Sequence, residues 1–329
     1  MADVAALAKV DRSVVSRLLS ADPRLNVRDS TRQRVLDAVR ALGYRPNAAA
    51  RALRTSRTWA LGLFIPDFAN PAYAEIIRGA EVAAGAAGSV LVTGSDLGVG
   101  RNLEAYLDLL GHGRVDGLLL ATGALGMDED ELTKLGIPWL FVNRTGRGQR
   151  RYVVLDDEGA IALAVGHLVG LGHERLAHLS GPRGSDSARR RRLGYQKAVR
   201  AQGIGASAAL VVPGNFTPEG GSAAISELLG LPEPPTAVVT ANVASAIGTL
   251  HAAHRLGVRV PEDLSVIAVH DIPLAANLVP PLTTVRTPLE RLGERAVELL
   301  LTTPSDSPAC EVVGQPMALV LRESTAPPR

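Results

Sequence analysis

The sequence contains one cysteine, Cys310, in 329 residues, which excludes an internal disulfide framework and any multi-cysteine metal site. No apolar run approaches the roughly eighteen residues of a membrane-spanning helix. No N-terminal stretch combines a basic start, an apolar core and a small-residue cleavage site, so a soluble, cytoplasmic protein without membrane contact is expected. Aromatic residues make up only 3% of the chain, which leaves aliphatic side chains and alanine to fill the cores. No G-x-G-x-x-G follows a strand-like run and no Walker loop is present, so dinucleotide and nucleoside-triphosphate chemistry is not indicated. No Ser/His/Asp set stands out. His251 and His254 share a helical face, but with no third ligand nearby they read as solvated or packed side chains. The expectation is a non-enzyme with no cofactor and no metal.

With 46% hydrophobic residues the chain can bury substantial cores, and its length fits two or three domains. The net charge of +2 is unevenly spread. Residues 1–58 carry twelve Lys/Arg against five Asp/Glu, a net +7, and the remainder carries 23 against 28, a net −5. A basic head on a mildly acidic body points to a polyanionic partner for the head, although a basic solvated surface is the common alternative.

Residues 1–58 show helical periodicity only. Val4, Ala5, Leu7 and Ala8 form one apolar face, and Val14, Val15, Leu18 and Leu19 form a second. Lys9, Val10 and Asp11 between them allow only a tight turn. A third helix is predicted from about Ser30 to Leu42, ending at Gly43. Three short helices with a tight first turn describe a helix-turn-helix unit. From Trp59 onward, short β-rich runs such as Ala60–Ile65, Val115–Ala121, Leu176–Ser180 and Ser265–Val269 alternate with helical patterns such as Ala72–Ala87, Arg101–Leu110 and Ala160–Leu171. That spacing predicts parallel sheets with crossover helices, in two sets of about five strands around a cleft. The segment Ser324 to Arg329 is expected to fray.

The run Asp3-Val4-Ala5-Ala6-Leu7-Ala8-Lys9-Val10-Asp11-Arg12-Ser13-Val14-Val15-Ser16-Arg17 resembles the head of the LacI/GalR (lactose-repressor-like) transcriptional regulators, approximately DVA-x-x-AGVS-x-x-TVSR. Ala5 is small where two helices cross, Val10 plugs the turn, and Val15 and Leu18 point inward. Arg12, Ser13, Ser16 and Arg17 are left on the outer face of a helix that fits the major groove. The resemblance implies that Arg12, Ser13 and Arg17 face base edges and that Ser16 helps hold phosphate. Lys9 replaces the usual turn glycine. Asp11 replaces the usual serine, where it can cap the helix but cannot donate to phosphate. The segment Gly43-Tyr44-Arg45-Pro46-Asn47-Ala48-Ala49-Ala50-Arg51-Ala52-Leu53-Arg54 resembles the family hinge, GY-x-PN-x-x-AR-x-L. An isolated helix this short is marginal in water, so folding on DNA makes it a switch. By resemblance Leu53 wedges between central base pairs in the minor groove, while Asn47, Ala50 and Arg54 approach the sugar–phosphate edge.

The rest of the family pattern falls in the body. Phe68 and Tyr73 lie in a loop resembling NP-(F/Y)-(F/Y)-x-x-(I/L)-x-x-G, and Ser185, Ser187 and Arg191 lie in one resembling GP-x…S-x-x-R-x-x-G-(F/Y). Asn143, Phe216, Asn242 and Asp271 match further effector positions. Asn143 stands where aspartate is commoner, Val243 where a carboxylate is usual, and His270 where Tyr or Phe is frequent. Asp156 and Asp157 read as structural residues of the first crossover between subdomains. Pro280-Pro281-Leu282-Thr283-Thr284-Val285 resembles the P-x-LTT-(V/I) segment before the second.

The resemblance implies an all-α helix-turn-helix DNA-binding head (1–44), a hinge helix and linker (45–58), and an α/β periplasmic-binding-protein-like body (59–329). The body would comprise two doubly wound parallel-sheet subdomains, 59–157 with 289–319 and 158–288 with 320–329. The expected partners are a pseudo-palindromic double-stranded operator, a sugar or sugar derivative, and a second copy of the chain in a homodimer. The rival reading is a free-standing periplasmic-type sugar-binding protein, which would have a signal peptide where this sequence has a basic head.

Overall fold

The computed structural model describes residues 1–19, 22, 24–44, 57–96, 114–122, 129–145, 148–205 and 210–329. The chain forms two compact units, Met1–Thr58 and Trp59–Arg329.

The first unit holds helices α1 (Ala2–Ala8), α2 (Arg12–Leu19) and α3 (Asp29–Ala41). Val4, Ala5, Ala8, Val15, Leu18, Val35 and Ala38 close into one core, with Val10, Val39 and Tyr44 packed against it. Between α1 and α2 Lys9 takes a left-handed conformation, φ 53°. A lysine can adopt it at a steric cost of roughly 1–2 kcal/mol. The Asp11 carboxylate accepts the Ser13 backbone N–H at 2.7 Å and so caps α2. Arg34 Nε donates to the Ala8 carbonyl at the end of α1, where a cation complements the helix dipole. Helix α3 starts one residue before the predicted Ser30, and Gly43 follows it at φ 55°.

The second unit is built on two six-stranded sheets. The first has strand order β11-β5-β4-β3-β1-β2 and is parallel throughout. Its strands are β1 (Ala60–Ile65), β2 (Val90–Ser95), β3 (Gly117–Leu120), β4 (Trp139–Val142), β5 (Arg151–Leu155) and β11 (Ala309–Val313). The second has order β12-β10-β9-β8-β6-β7, from β6 (Leu176–Ser180), β7 (Val211–Pro213), β8 (Ala237–Thr240), β9 (Ser265–Val269), β10 (Thr283–Arg286) and β12 (Ala318–Val320). Only β12 runs antiparallel there, against β10. Strands β3, β4, β8 and β9 are buried along their whole length, as expected of parallel strands covered on both faces. The covering helices among the described residues are α4 (Ala72–Ala86), α5 (Glu129–Thr133), α6 (Asp157–Gly170), α7 (Asp186–Ala201), α8 (Pro218–Leu229), α9 (Val243–Arg255) and α10 (Leu289–Thr302). The predicted helix Arg101–Leu110 lies outside the described residues.

The chain passes between the sheets three times: at Asp156–Asp157 after β5, at Thr287–Pro288 after β10, and through residues 314–317 after β11. The third passage corrects the expected boundary. Ala318 and Leu319 pair with Arg286 and Val285, so they belong to the second sheet and not the first. The terminal segment is a second correction, because it is fastened rather than frayed. Ser324 is fully buried; its Oγ donates to the Val266 carbonyl and accepts the Thr283 N–H, while its own carbonyl accepts the Val266 N–H. The tail thus supplies partners for the backbone where β9 and β10 begin, a non-local role that the sequence Ser324-Thr325-Ala326-Pro327-Pro328-Arg329 does not announce.

Helices α4 and α10 cross at backbone contact over the first sheet. A methyl group on Gly79 would overlap the Glu290 carbonyl, and one on Gly293 the Ile76 carbonyl. Glycine at both positions sets the spacing between the helices, and through it the buried positions of Ile76, Ala80, Leu292 and Ala296. Gly293→Ala is therefore expected to destabilise the fold by roughly 1–3 kcal/mol, as overpacking does. Denaturant unfolding checks this, and an unchanged midpoint would mean the helices have room to part.

Candidate functional site

Two regions carry the chemistry. On α2, Arg12 and Ser13 are exposed, Ser16 is half-buried and Arg17 is exposed, while Val15 and Leu18 face the core. At 100° per residue, positions 12, 13, 16 and 17 share one arc of the helix. The structure adds a partner that the sequence pattern did not reveal. Arg17 Nε donates to the Asp22 carboxylate at 2.9 Å, and Asp22 also accepts the Arg24 backbone N–H. These bonds hold the Asp22 carboxyl below its ordinary value, the Arg24 N–H first and Arg17 second. The loop after α2 thus orients the Arg17 guanidinium. Asn47, Ala50, Leu53 and Arg54 lie outside the described residues.

The second region is a cleft of about 840 Å³ at the carboxyl ends of the strands of both sheets. The loop after β1 supplies Asp67, Asn70 and Tyr73, β2 leads to Asp96, β3 to Thr122, and β4 to Asn143 and Arg144. From the second sheet come Ser185, Ser187 and Arg191 after β6, Phe216 after β7, Asn242 after β8 and His270 after β9. Ligands collect at this edge in open α/β sheets because the strand order reverses there and the loops part.

Arg191 is the centre of the cleft's electrostatics. It is 2% exposed. Its Nε donates to Asp157 Oδ1, Nη1 to the Ala241 carbonyl and Nη2 to His270 Nε2, each at 2.7 Å. Of the four consecutive arginines, Arg189 is exposed and paired with Asp186, and Arg190 reaches Asp157 and Asp186 from the side. Asp157, also 2% exposed, therefore balances two guanidinium groups. Burial would raise its carboxyl, but Arg191 and Arg190 outweigh burial and hold it below the ordinary value.

Because a guanidinium only donates, His270 Nε2 must accept. The ring proton then sits on Nδ1, 2.7 Å from Thr287 Oγ1. Burial first, and Arg191 second, push this imidazole down to about 3, so it is neutral. Tyr73 is buried and its hydroxyl meets the Asn143 side chain; burial pushes the phenol up to about 12. Asn143 sits at φ 56°, and its Oδ1 is buried without a hydrogen-bond partner among the described residues. Phe216, at φ 60°, fills the space that a side chain on Gly181 would need, and lies 5.8 Å from the Arg191 guanidinium carbon. Asn242 is committed to the scaffold: Oδ1 caps α9 at Ser245 N, and Nδ2 donates to the Phe216 carbonyl. Ser185 caps α7 and its hydroxyl meets that of Ser187 at 3.1 Å. Asp186 accepts the Thr145 N–H at 2.8 Å, linking loops that follow strands of different sheets.

The structure thus brings Tyr73, Asn143, Ser185, Ser187, Arg191, Phe216 and Asn242 to one cleft, but two expected residues do not line it. Phe68 is 55% exposed, because Asp67 accepts the Ala69 and Asn70 N–H groups in a tight turn that sends the ring outward. Asp271 is held by Thr284 Oγ1, Arg286 and Arg322. The left-handed backbone at His270, φ 71°, turns the imidazole inward and leaves Asp271 facing β10. His270 replaces Asp271 as the lining residue, and only the sign of its φ, invisible in sequence, decides the exchange. Arg144, which no motif marks, also lines the cleft; its guanidinium lies 4.8 Å from the Phe141 ring centre and bonds the Thr122 carbonyl.

Among the described residues no group of three or more His, Cys, Asp or Glu is placed to hold a metal, and no helix is long and apolar enough to cross a membrane.

Comparison with known proteins places these two regions in a family. Residues 1–47 match the model for bacterial regulatory proteins of the lacI family, and residues 165–325 match a periplasmic binding protein-like domain. The HTH-type transcriptional repressor CytR of Escherichia coli K12 is 34% identical over 303 residues, 92% of this chain and 88% of that protein. The transcriptional regulator CelR in complex with cellobiose is 31% identical, with a TM-score of 0.73 over 98% of each chain. The lac repressor dimer bound to operator and the anti-inducer ONPF is 27% identical, with a TM-score of 0.85 over 98% of each chain. With a matching head and body in the family's order, and a relative above 30% identity over nearly its full length, this chain belongs to the LacI family of DNA-binding transcriptional regulators.

Proposed function

We propose that the protein is a cytoplasmic, nucleoid-associated repressor of carbohydrate-utilisation genes whose operator affinity is set by a sugar-like effector in the cleft. The observation that carries the effector half is Arg191. Protein groups take three of its five N–H donors, and the remaining two, on Nη1 and Nη2, are available at the cleft it lines. The unpartnered Asn143 Oδ1 offers an acceptor, and Phe216 and Tyr73 offer aromatic surface. Donors, an acceptor and a ring face suit a neutral polyhydroxylated ligand, whose hydroxyls donate and accept in turn. The cellobiose of CelR and the operator of the lac repressor dimer support the same reading.

On DNA, two copies of the chain would place α2 in successive major grooves of a pseudo-palindrome, with Arg12, Ser13 and Arg17 at base edges and Ser16 at phosphate. The paired hinges would enter the minor groove between them. The effector then acts by favouring the conformation in which the hinges separate, since equal affinity for both conformations switches nothing. Regulators make up the relatives, which supports a non-enzymatic role. The basic head supports regulation over free sugar carriage.

A gel shift on DNA from the gene's own upstream region tests the whole reading, and sequence-selective, salt-sensitive binding is expected. Equal affinity for random DNA at every salt concentration would defeat it. Leu53→Ala is expected to weaken operator binding at least about tenfold, since the wedge and the bend it supports are worth a few kcal/mol. Sugar binding by the body should persist; unchanged affinity and bending would show that Leu53 is no wedge. Arg191→Ala should preserve the operator complex while abolishing release by sugars that shift the melting temperature of the unsubstituted protein. A variant that still responds normally would remove Arg191 from the effector site.

A further inference from the structure

The bonds around Arg191 reach beyond the cleft. On one side Nε ends on Asp157, the first residue of α6, where the chain first passes from one sheet to the other. On the other side Nη2 ends on His270, whose Nδ1 proton lies on Thr287 Oγ1. Thr287 stands between β10 and α10, in the second passage. Asp157, Arg191, His270 and Thr287 are all at most 6% exposed, and the three links are each 2.7 Å.

The direction of every bond is fixed: carboxylate accepting from guanidinium, guanidinium donating to imidazole, imidazole donating to hydroxyl. Water has little access to substitute for a lost partner, so displacing one member leaves another buried and unsatisfied. The passages between sheets are the segments whose dihedrals must change when the sheets move relative to each other.

We propose that His270 is a positioning residue that makes Arg191 a brace across the first and second of the three passages, so that the ligand-facing arginine and these two crossing segments shift together. This deepens the effector reading and rests on the cleft being the effector site. A ligand that draws the two remaining Arg191 N–H groups toward itself pulls on Asp157 and Thr287 at once. The first and second passages then respond as one unit to occupancy at a single guanidinium.

A double-mutant cycle on the full chain tests the brace without any effector. Thr287→Val removes the hydroxyl and keeps the shape, and Asp157→Asn removes the charge at the other end. If the brace exists, the melting-temperature losses fail to add: the double variant loses clearly less than the two single losses combined, although no hydrogen bond joins the two residues directly. In a His270→Phe background the same two losses should add. Additive losses in the native background overturn the brace. Should Asp157→Asn not fold, nitrogen-15 NMR of the histidine rings decides. His270 is expected to stay neutral with its proton on Nδ1 at pH 5; its resonance should shift in Thr287→Val and return in Thr287→Ser. A His270 that titrates near 6.5, or is indifferent to Thr287, overturns the inference. Operator binding by the unsubstituted protein separates the two failures. Its loss removes the proposed function, while an additive cycle with normal operator binding removes only the brace.

Discussion

Between the two sheets of the body a carboxylate and a guanidinium, both almost without access to water, meet at 2.7 Å. Keeping Asp157 and Arg191 charged in that place constrains much of their surroundings. A buried pair gains little net stability over an apolar filling, but losing either partner typically costs about 3–5 kcal/mol. Each charge therefore needs further partners. Arg190 shares Asp157, while the Ala241 carbonyl, His270 and the Phe216 ring complete the shell around Arg191. The outcome is an arginine held in one orientation by protein groups alone, and for the effector contact proposed above that reduces the ordering cost of binding.

The same economy appears around it. Asn242, whose amide could face a ligand, caps α9 and carries the Phe216 backbone, so its contribution to the cleft is the placement of a ring. Gly181 leaves the room that ring occupies. Left-handed backbone at Asn143, Asn215, Phe216 and His270 clusters at strand ends that line the cleft. Non-glycine residues in that region of dihedral space persist only where the surroundings hold them, and such positions gather at functional sites.

The head follows different rules. Its core is small and made of valine, leucine and alanine, and the face open for contact is whatever α2 does not bury. The two departures from the family pattern are both absorbed locally. Lys9 accepts the left-handed turn, and Asp11 becomes a cap through the Ser13 N–H. Asp22, in the loop after α2, adds a restraint on Arg17 that the helix pattern alone does not contain.

Periodicity by itself determined the helix-turn-helix and the two parallel α/β sets, because those signals are local: helix caps, apolar spacing, glycines at turns. The loops bearing Tyr73, Asn143, Ser185, Arg191 and Phe216 were legible through the resemblance of their motifs, in order, to the family pattern. What only the tertiary structure decided is how the polar groups are shared. Phe68 turns away on an Asx turn, Asp271 is taken by two arginines from distant segments, and His270 enters the cleft on the sign of one dihedral. The terminal residues hold strand β9 for the same kind of reason. Hydrogen-bond partners 51 and 58 residues apart, and backbone angles set by packing, leave no periodic trace along the chain. Residue type can nominate a binding side chain, but the fold determines whether its donors are still available.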